Sequence, residues 1–201
     1  MSKKNKRKAA HQDREAPMRQ KQERAIHDAK WIAKQIDAFS KELLASGVLD
    51  HALIAGIRRR GAELARRVRD RVSKQWGHPV PYGALDITLY RDDVALRGPR
   101  LHTGKKGTVI EGPVDHRVVF LIDDVICTGR TIRAALDILN DYGRPGAVRL
   151  FSLIDRGGRE LPIQPDRVAE RLSIPHADRV EVRLEETDGE EGVFVVLGGM
   201  R

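Results

Sequence analysis

The chain has 201 residues, 40% of them hydrophobic, and a single cysteine, Cys127. That length supports one compact domain with a core. The lone cysteine excludes an internal disulfide framework and a cysteine-cluster zinc site, and no apolar run approaches the roughly 18 residues of a membrane span. The formal charge of +8 is uneven: residues 1–24 hold nine Lys/Arg against three Asp/Glu, and the rest carries 28 against 26. The excess therefore sits in a basic start with no apolar segment behind it, which is not a secretory signal. It reads as a disordered extension over residues 1–24, either solubilising or a non-specific RNA-binding arm. A cytoplasmic chain is expected.

Ala25, Ala29, Ile32, Ile36, Phe39 and Leu43 recur at helical spacing, predicting a helix from about Arg24 to Ala45 that Gly47 ends. Ala52–Gly56 reads as a buried strand, and Gly61 to about Lys74 as a helix with Leu64, Ala65 and Val68 inward. Ala84–Tyr90 reads as a strand. Residues 91–116 are rich in Gly, Pro, Arg and Lys without periodicity, and a long segment of that kind inside a compact domain is usually functional. A strand from Val118 is followed by a loop and a helix to about Asp141, stopped by Gly143 and Pro145. Ala147–Asp155 is the next strand, and Arg179–Leu184 and Val193–Leu197 are short strands able to pair as a terminal hairpin. Alternating strands and helices predict an α/β domain, a parallel-centred sheet flanked by helices, over residues 25–201.

The stretch from Val118 to Thr131 carries the most chemistry. Five apolar residues lead to Asp123-Asp124, expected where the strand ends, and ligands of open α/β sheets bind beyond that end. Two carboxylates offer acceptors only, and two neighbouring ribose hydroxyls are matching donors. Thr128-Gly129-Arg130-Thr131 then opens a helix, whose free N–H groups and hydroxyls make an anion cradle. A helix cap would explain one aspartate but not two. Gly56-Ile57-Arg58-Arg59-Arg60-Gly61 repeats the strand–turn–helix arrangement with three arginines at the helix start, where anions are favoured. Ile154-Asp155-Arg156-Gly157-Gly158 lies beyond another strand end. The seven histidines show no metal-ligand spacing.

The acidic strand and its loop resemble the phosphoribosyl pyrophosphate (PRPP) binding loop of type I phosphoribosyltransferases. Asp86–Asp93, Gly56–Gly61 and Leu153–Ile163 further resemble the PyrR family, which joins pyrimidine-operon regulation to uracil phosphoribosyltransferase activity. The resemblance covers about residues 25–197. Family members commonly have Lys-Thr-Arg where this chain has Arg58-Arg59-Arg60, Tyr at Cys127 and His at Gly158.

The resemblance implies that Asp123 and Asp124 hold the ribose hydroxyls and that Val125, Cys127, Thr128, Gly129, Arg130 and Thr131 bind the nucleotide, chiefly its 5-phosphate. Arg58, Arg59, Arg60 and Gly61 would form the pyrophosphate loop. Residues 91–116 would be a hood loop with Arg91 in reach of pyrophosphate, and Ile154, Asp155, Arg156 and Gly157 would frame the base through backbone. It implies Mg²⁺ with PRPP rather than a side-chain metal site, and uracil, PRPP and UMP as ligands. It also implies structured pyr-operon RNA as a possible partner, and a homodimer or tetramer. Arg66, Arg67, Arg69 and Arg71 are RNA-patch candidates by charge alone. Two alternatives stay open: an RNA-binding attenuator with a vestigial nucleotide-sensing site, or a purine phosphoribosyltransferase.

Overall fold

The computed structural model describes residues 22–90 and 107–198. Most of the basic extension, most of the hood segment with Arg91, and the last three residues lie outside the described residues.

The chain order is β1 (Glu23–Asp28), α1 (Ala29–Ala45), β2 (Ala52–Ile57), α2 (Arg60–Trp76), β3 (Tyr82–Leu85), β4 (Val109–Ile110), β5 (Val118–Ile126), α3 (Arg130–Tyr142), β6 (Ala147–Asp155), β7 (Arg167–Arg171), β8 (Arg179–Arg183), the single turn α4 (Glu185–Asp188) and β9 (Gly192–Val196). Six strands form the main sheet in the order β4-β3-β2-β5-β6-β7. All its pairings are parallel except β3 with β4. Three strands, β1-β9-β8, form a smaller antiparallel sheet.

Side chains alternate between the faces of a strand, and this divides the core. Ile54, Phe120, Ile122 and Phe151 point to the side of Ile32, Ile36 and Phe39 on α1 and Leu64, Ala65 and Val68 on α2. Leu53, Ala55, Val119, Leu121 and Leu150 face Ile132, Ala135, Ile138 and Leu139 on α3. Phe151 meets Phe39 and Phe120 at ring-centroid distances of 5.3 and 5.7 Å, both inclined, the geometry aromatic quadrupoles favour. Val182, Leu184 and Val193 join the first cluster, so the small sheet is fused to the α1/α2 side.

The structure corrects three boundaries. Residues 24–28, expected to be helical, are strand: β1 pairs with β9 about 170 residues away in sequence, with a bulge between Ala25 and His27. Local periodicity cannot register such a pairing. Asp28 then caps α1, accepting from the Trp31 N–H at 2.9 Å. The strand expected over Ala84–Tyr90 occupies Tyr82–Leu85. Asp86 ends it by accepting from the Thr88 N–H at 3.1 Å, which folds Ile87–Leu89 into a 3-10 turn. Lastly, β5 does not stop at the aspartates but stays paired with β6 to Ile126. Strand β4, inside the segment 91–116 expected to be a hood loop, and strand β7 were not foreseen.

Two glycines set how α2 meets the sheet. A Cβ on Gly56 would lie 2.1 Å from the Gly61 carbonyl oxygen and 2.6 Å from Ala62 Cα, and one on Gly61 would lie 2.7 Å from the Ile122 carbonyl oxygen. The obstructing atoms are backbone, so only glycine admits this approach. Gly56→Ala is expected to destabilise the fold by about 3 kcal/mol, the upper part of the overpacking range. A lower urea midpoint at unchanged slope checks this.

Candidate active site

Strand β5 carries its two aspartates into a cavity of about 360 Å³ where the arginine turn before α2 and the start of α3 converge. Arg58, Arg59 and Arg60 line one side, Asp123, Asp124 and Val125 the floor, and Thr131 and Thr187 close it. Seven of these eight residues were expected at the site from the sequence, Val125 and Thr131 among the nucleotide contacts; Thr187 was not foreseen. Gly61 stands against the pair: a Cβ there would lie 3.2 Å from Asp123 Oδ1.

The aspartates are not equivalent. Asp123 is 4% exposed, whereas Asp124 is half-buried. Burial pushes the Asp123 carboxyl well above the usual carboxylate range, and the charge and hydrogen bond of Asp124 add to it. Asp124 is also raised by burial, with the Arg60 guanidinium opposing the shift. Burial thus disfavours ionisation of both carboxyls, Asp123 the more, while the Arg60 charge works in favour of the ionised form of Asp124.

The loop after β5 turns through Gly129, whose φ of +90° is left-handed and which precedes α3 as its N-cap. The Arg130 N–H donates to Thr128 Oγ1 at 3.3 Å. The segment after β6 lies over this loop: the Glu160 and Leu161 N–H groups donate to the Thr128 carbonyl at 2.9 and 3.1 Å. A Cβ on Gly129 would touch Leu161 and Ile163 at 3.4 and 3.5 Å. Arg130 pairs with Glu160 at 2.6 Å, both half-exposed.

The expected base-framing residues do not line the same cavity. Ile154 is wholly buried. Asp155, Arg156 and Gly157 line a second cavity of about 440 Å³ with Cys127 and Gly158, faced by Arg171–Ile174 and His176. The end of β5 stands between them, Val125 on one side and Cys127 on the other. Gly158 has φ +74°, and a side chain there would approach Cys127 Sγ at 3.6 Å and His176 Cε1 at 3.9 Å. Arg156 donates to the His176 carbonyl at 3.0 Å, tying the two walls.

Two residues given no role by the sequence organise these loops. Arg159 pairs with Asp155 at 2.8 Å and donates to the carbonyls of Cys127 and Ile163, each at 2.8 Å. It thus braces the phosphate-side loop against the turn after β6. Burial works against ionisation of Asp155, but Arg159 and the Gly157 N–H hold its carboxyl below the usual range. Asp188 grips Arg60 through two hydrogen bonds, Nε to Oδ2 at 3.0 Å and Nη2 to Oδ1 at 2.8 Å. Asp155 and Arg159 lie four residues apart but in a strand end and loop, where that spacing is no signal, and Arg60 and Asp188 lie 128 residues apart; neither pairing was legible. Arg58 donates to the Gly107 carbonyl at 3.2 Å, and its Nε is buried without a hydrogen-bond partner among the described residues, as suits a group that meets a ligand.

The candidate RNA patch on α2 is not a free basic face. Arg66 pairs with Glu63 and Glu186 at 2.9 and 3.0 Å, Arg67 with Glu186 and Glu191 at 2.5 and 2.6 Å, Arg69 with Asp70 at 3.0 Å and Arg71 with Asp37 at 2.5 Å. Charge alone pointed to RNA there, and the charge is met from within. Among the described residues no cluster of three or more His, Cys, Asp or Glu is placed to hold a metal ion, and no helix is long and apolar enough to cross a membrane.

A parallel-centred sheet with an acidic strand end, a glycine turn and an arginine turn is the architecture of phosphoribosyltransferases, and the phosphoribosyl transferase domain family matches residues 22–182. The hypoxanthine-guanine phosphoribosyltransferase of Bacillus anthracis superposes with a TM-score of 0.63 at 14% identity, over 87% of this chain and 98% of that one. The hypoxanthine phosphoribosyltransferase of Staphylococcus aureus gives 0.60 at 14% identity, over 88% and 93%. These likenesses establish the fold. Sequence is more specific: the bifunctional protein PyrR of Roseiflexus sp. (strain RS-1) is 47% identical over 87% of this chain and 95% of its own length. That of Bacillus cereus is 39% identical over 87% and 98%. The chain belongs to the PyrR family.

Two outcomes follow from the charge arrangement. Asp123 binds its proton more tightly folded than unfolded, so its contribution to stability is complete below the unfolded value of about 3.9 and is lost as pH rises through the raised folded value. Asp123→Asn is therefore expected to melt above the native chain at alkaline pH, the gap closing as pH falls toward about 4; parallel thermal melts across pH check it. Arg159→Gln leaves Asp155 buried without its main partner, with an expected loss of about 3 kcal/mol read by denaturant titration.

Proposed function

We infer that this chain transfers the phosphoribosyl group of PRPP to uracil, releasing pyrophosphate and forming UMP, and that it also regulates pyrimidine genes in response to uridine nucleotides. The observation that carries the reading is the meeting of Asp123-Asp124, the Arg58–Arg60 turn and Thr131 around one cavity, in a chain of the PyrR family.

In this reaction a bond forms between uracil N1 and the anomeric carbon, the bond from that carbon to pyrophosphate breaks, and the N1 proton is released. Positive charge builds on the sugar ring. No nucleophilic side chain is required, so the protein contributes orientation and electrostatics. In the proposed arrangement Asp124 accepts from ribose hydroxyls and faces the developing charge, with Asp123 behind it. Thr128, Gly129, Arg130 and Thr131 hold the 5-phosphate, and Arg58–Arg60 the pyrophosphate. Backbone around Ile154–Gly157 meets the base, which requires the ligand to reach past the end of β5 into the second cavity.

Mg²⁺ is expected to enter with PRPP. The half-buried Asp124 carboxylate is a hard oxygen donor of the type this ion accepts together with substrate phosphates, so Asp124 fits it, and it would supply charge neutralisation on the leaving pyrophosphate. Regulation through pyr-operon RNA is the family-based reading of the second function: a nucleotide that favours the RNA-competent form must gain affinity from RNA in equal measure. A homodimer or tetramer in the cytoplasm completes the proposal.

The test is pyrophosphate release with PRPP, Mg²⁺ and each of uracil, hypoxanthine, guanine and orotate. Release with uracil alone is expected; release with a purine alone would replace the reading with a purine transferase, and UMP binding without release would replace it with a nucleotide sensor. Asp124→Asn is expected to lower turnover by about 100-fold or more, the scale of losing one preorganised electrostatic group, while its circular dichroism stays native.

A further inference from the structure

We propose that Asp188 is a positioning residue for Arg60, fixing the guanidinium at the mouth of the acidic cavity in the orientation that meets the pyrophosphate of the sugar substrate. The proposal rests on the functional reading above.

Arg60 is the first residue of α2 and lines the cavity beside Asp124. Two parallel hydrogen bonds bind it to Asp188, at 3.0 and 2.8 Å, the fork-to-fork arrangement that fixes direction as well as distance. Asp188 is itself fixed, since its Oδ2 also accepts from the Leu184 N–H at 3.0 Å. The turn carrying it is bolted to α2 further along the helix, where Arg67 pairs with both Glu186 and Glu191 and Arg66 with Glu186. Thr187, between these contacts, reaches the cavity wall. A carboxylate anchored in this way is a fixed bracket rather than a latch that swings aside.

A guanidinium has five N–H donors, and the fork uses two of them, so the others stay available to an anion. A free arginine would lose rotamer entropy when it closed on pyrophosphate; here that cost is met at folding, and the donors are preorganised. The two side chains are 31% and 18% exposed, and a pair that keeps contact with solvent contributes less to fold stability than a fully buried one. Loss of Asp188 should therefore appear in PRPP binding before it appears in melting.

The experiment compares the native chain with Asp188→Asn and Asp188→Glu, and places Asp188→Asn also in an Arg60→Gln background. Asp188→Asn is expected to raise KM for PRPP about tenfold, leaving KM for uracil within about twofold and the melting temperature unchanged. Asp188→Glu should restore part of the loss, and in the Arg60→Gln background Asp188→Asn should add nothing. An unchanged KM, or tighter PRPP binding (which would make Asp188 a competitor of pyrophosphate), overturns the proposal. So does an equal loss without Arg60, or a lowered melting temperature with both KM values rising together. If the native chain turns over no base, the functional reading fails separately, and calorimetric titration with PRPP and Mg²⁺ still reads the tenfold difference in Kd.

Discussion

Two carboxylates on consecutive residues of a central strand repel each other, and burial of one makes its ionisation costlier still. Much around Asp123 and Asp124 answers that constraint. A proton resides readily on Asp123, the Arg60 charge offsets part of the cost at Asp124, and the glycines at 56 and 61 let the helix bearing Arg60 come down onto the strand. Any side chain at either glycine would lift α2 and carry the arginine turn away from the acids. A pair that destabilises the empty fold is one whose burden a ligand relieves: ribose hydroxyls donating to Asp124, or a dication beside it, would favour the ionised form. Stability given up at such a position is regained on binding.

The same logic explains the second, smaller sheet. Its β8–β9 connection, Glu185–Glu191, is acidic, and α2 beneath it is basic. Neither would be at ease facing its own kind, and together they neutralise one another through Arg60, Arg66 and Arg67. This accounts for a described body whose net charge is small despite its many arginines. It also moves the search for an RNA surface off this face of α2. The small sheet thereby has a part at the site: it brings Thr187 to the cavity and Asp188 to the arginine turn.

How much of this could be read from the sequence follows from the range of each interaction. The Val118–Tyr142 unit was legible because strand alternation, the turn glycine and helical periodicity are local, and β6 was placed to the residue for the same reason. Strand β1 was not, because its partner β9 lies at the other end of the chain and Ala25, Ala29 and Ile32 fit a helical stripe equally well. β7 has no fully buried side chain, so it lacks the apolar run that marked β2, β5 and β6. The acidic pair, the arginine turn and Thr131 were legible as residue types suited to one ligand. Asp188 and Arg159 were not, because a carboxylate or guanidinium reveals its role only through its partner.

The two cavities bear on how the proposed activities are joined. One holds the acids and the arginine turn, the other the turn after β6, and only the end of β5 and the loop it feeds lie between. Arg159 ties the loop after β5 to the turn after β6, holding the Cys127 carbonyl and Asp155, both at the second cavity, with one guanidinium. A displacement of the loop by a bound 5-phosphate would be felt at the second cavity through a rigid, charged connection rather than a hinge. A nucleotide, which carries phosphate and base together, would load both ends of this brace, whereas PRPP would load only one. If regulation distinguishes UMP from PRPP, the difference has to arise from contacts that one ligand makes and the other lacks, and the turn Asp155–Arg159 is where the two ligands would differ.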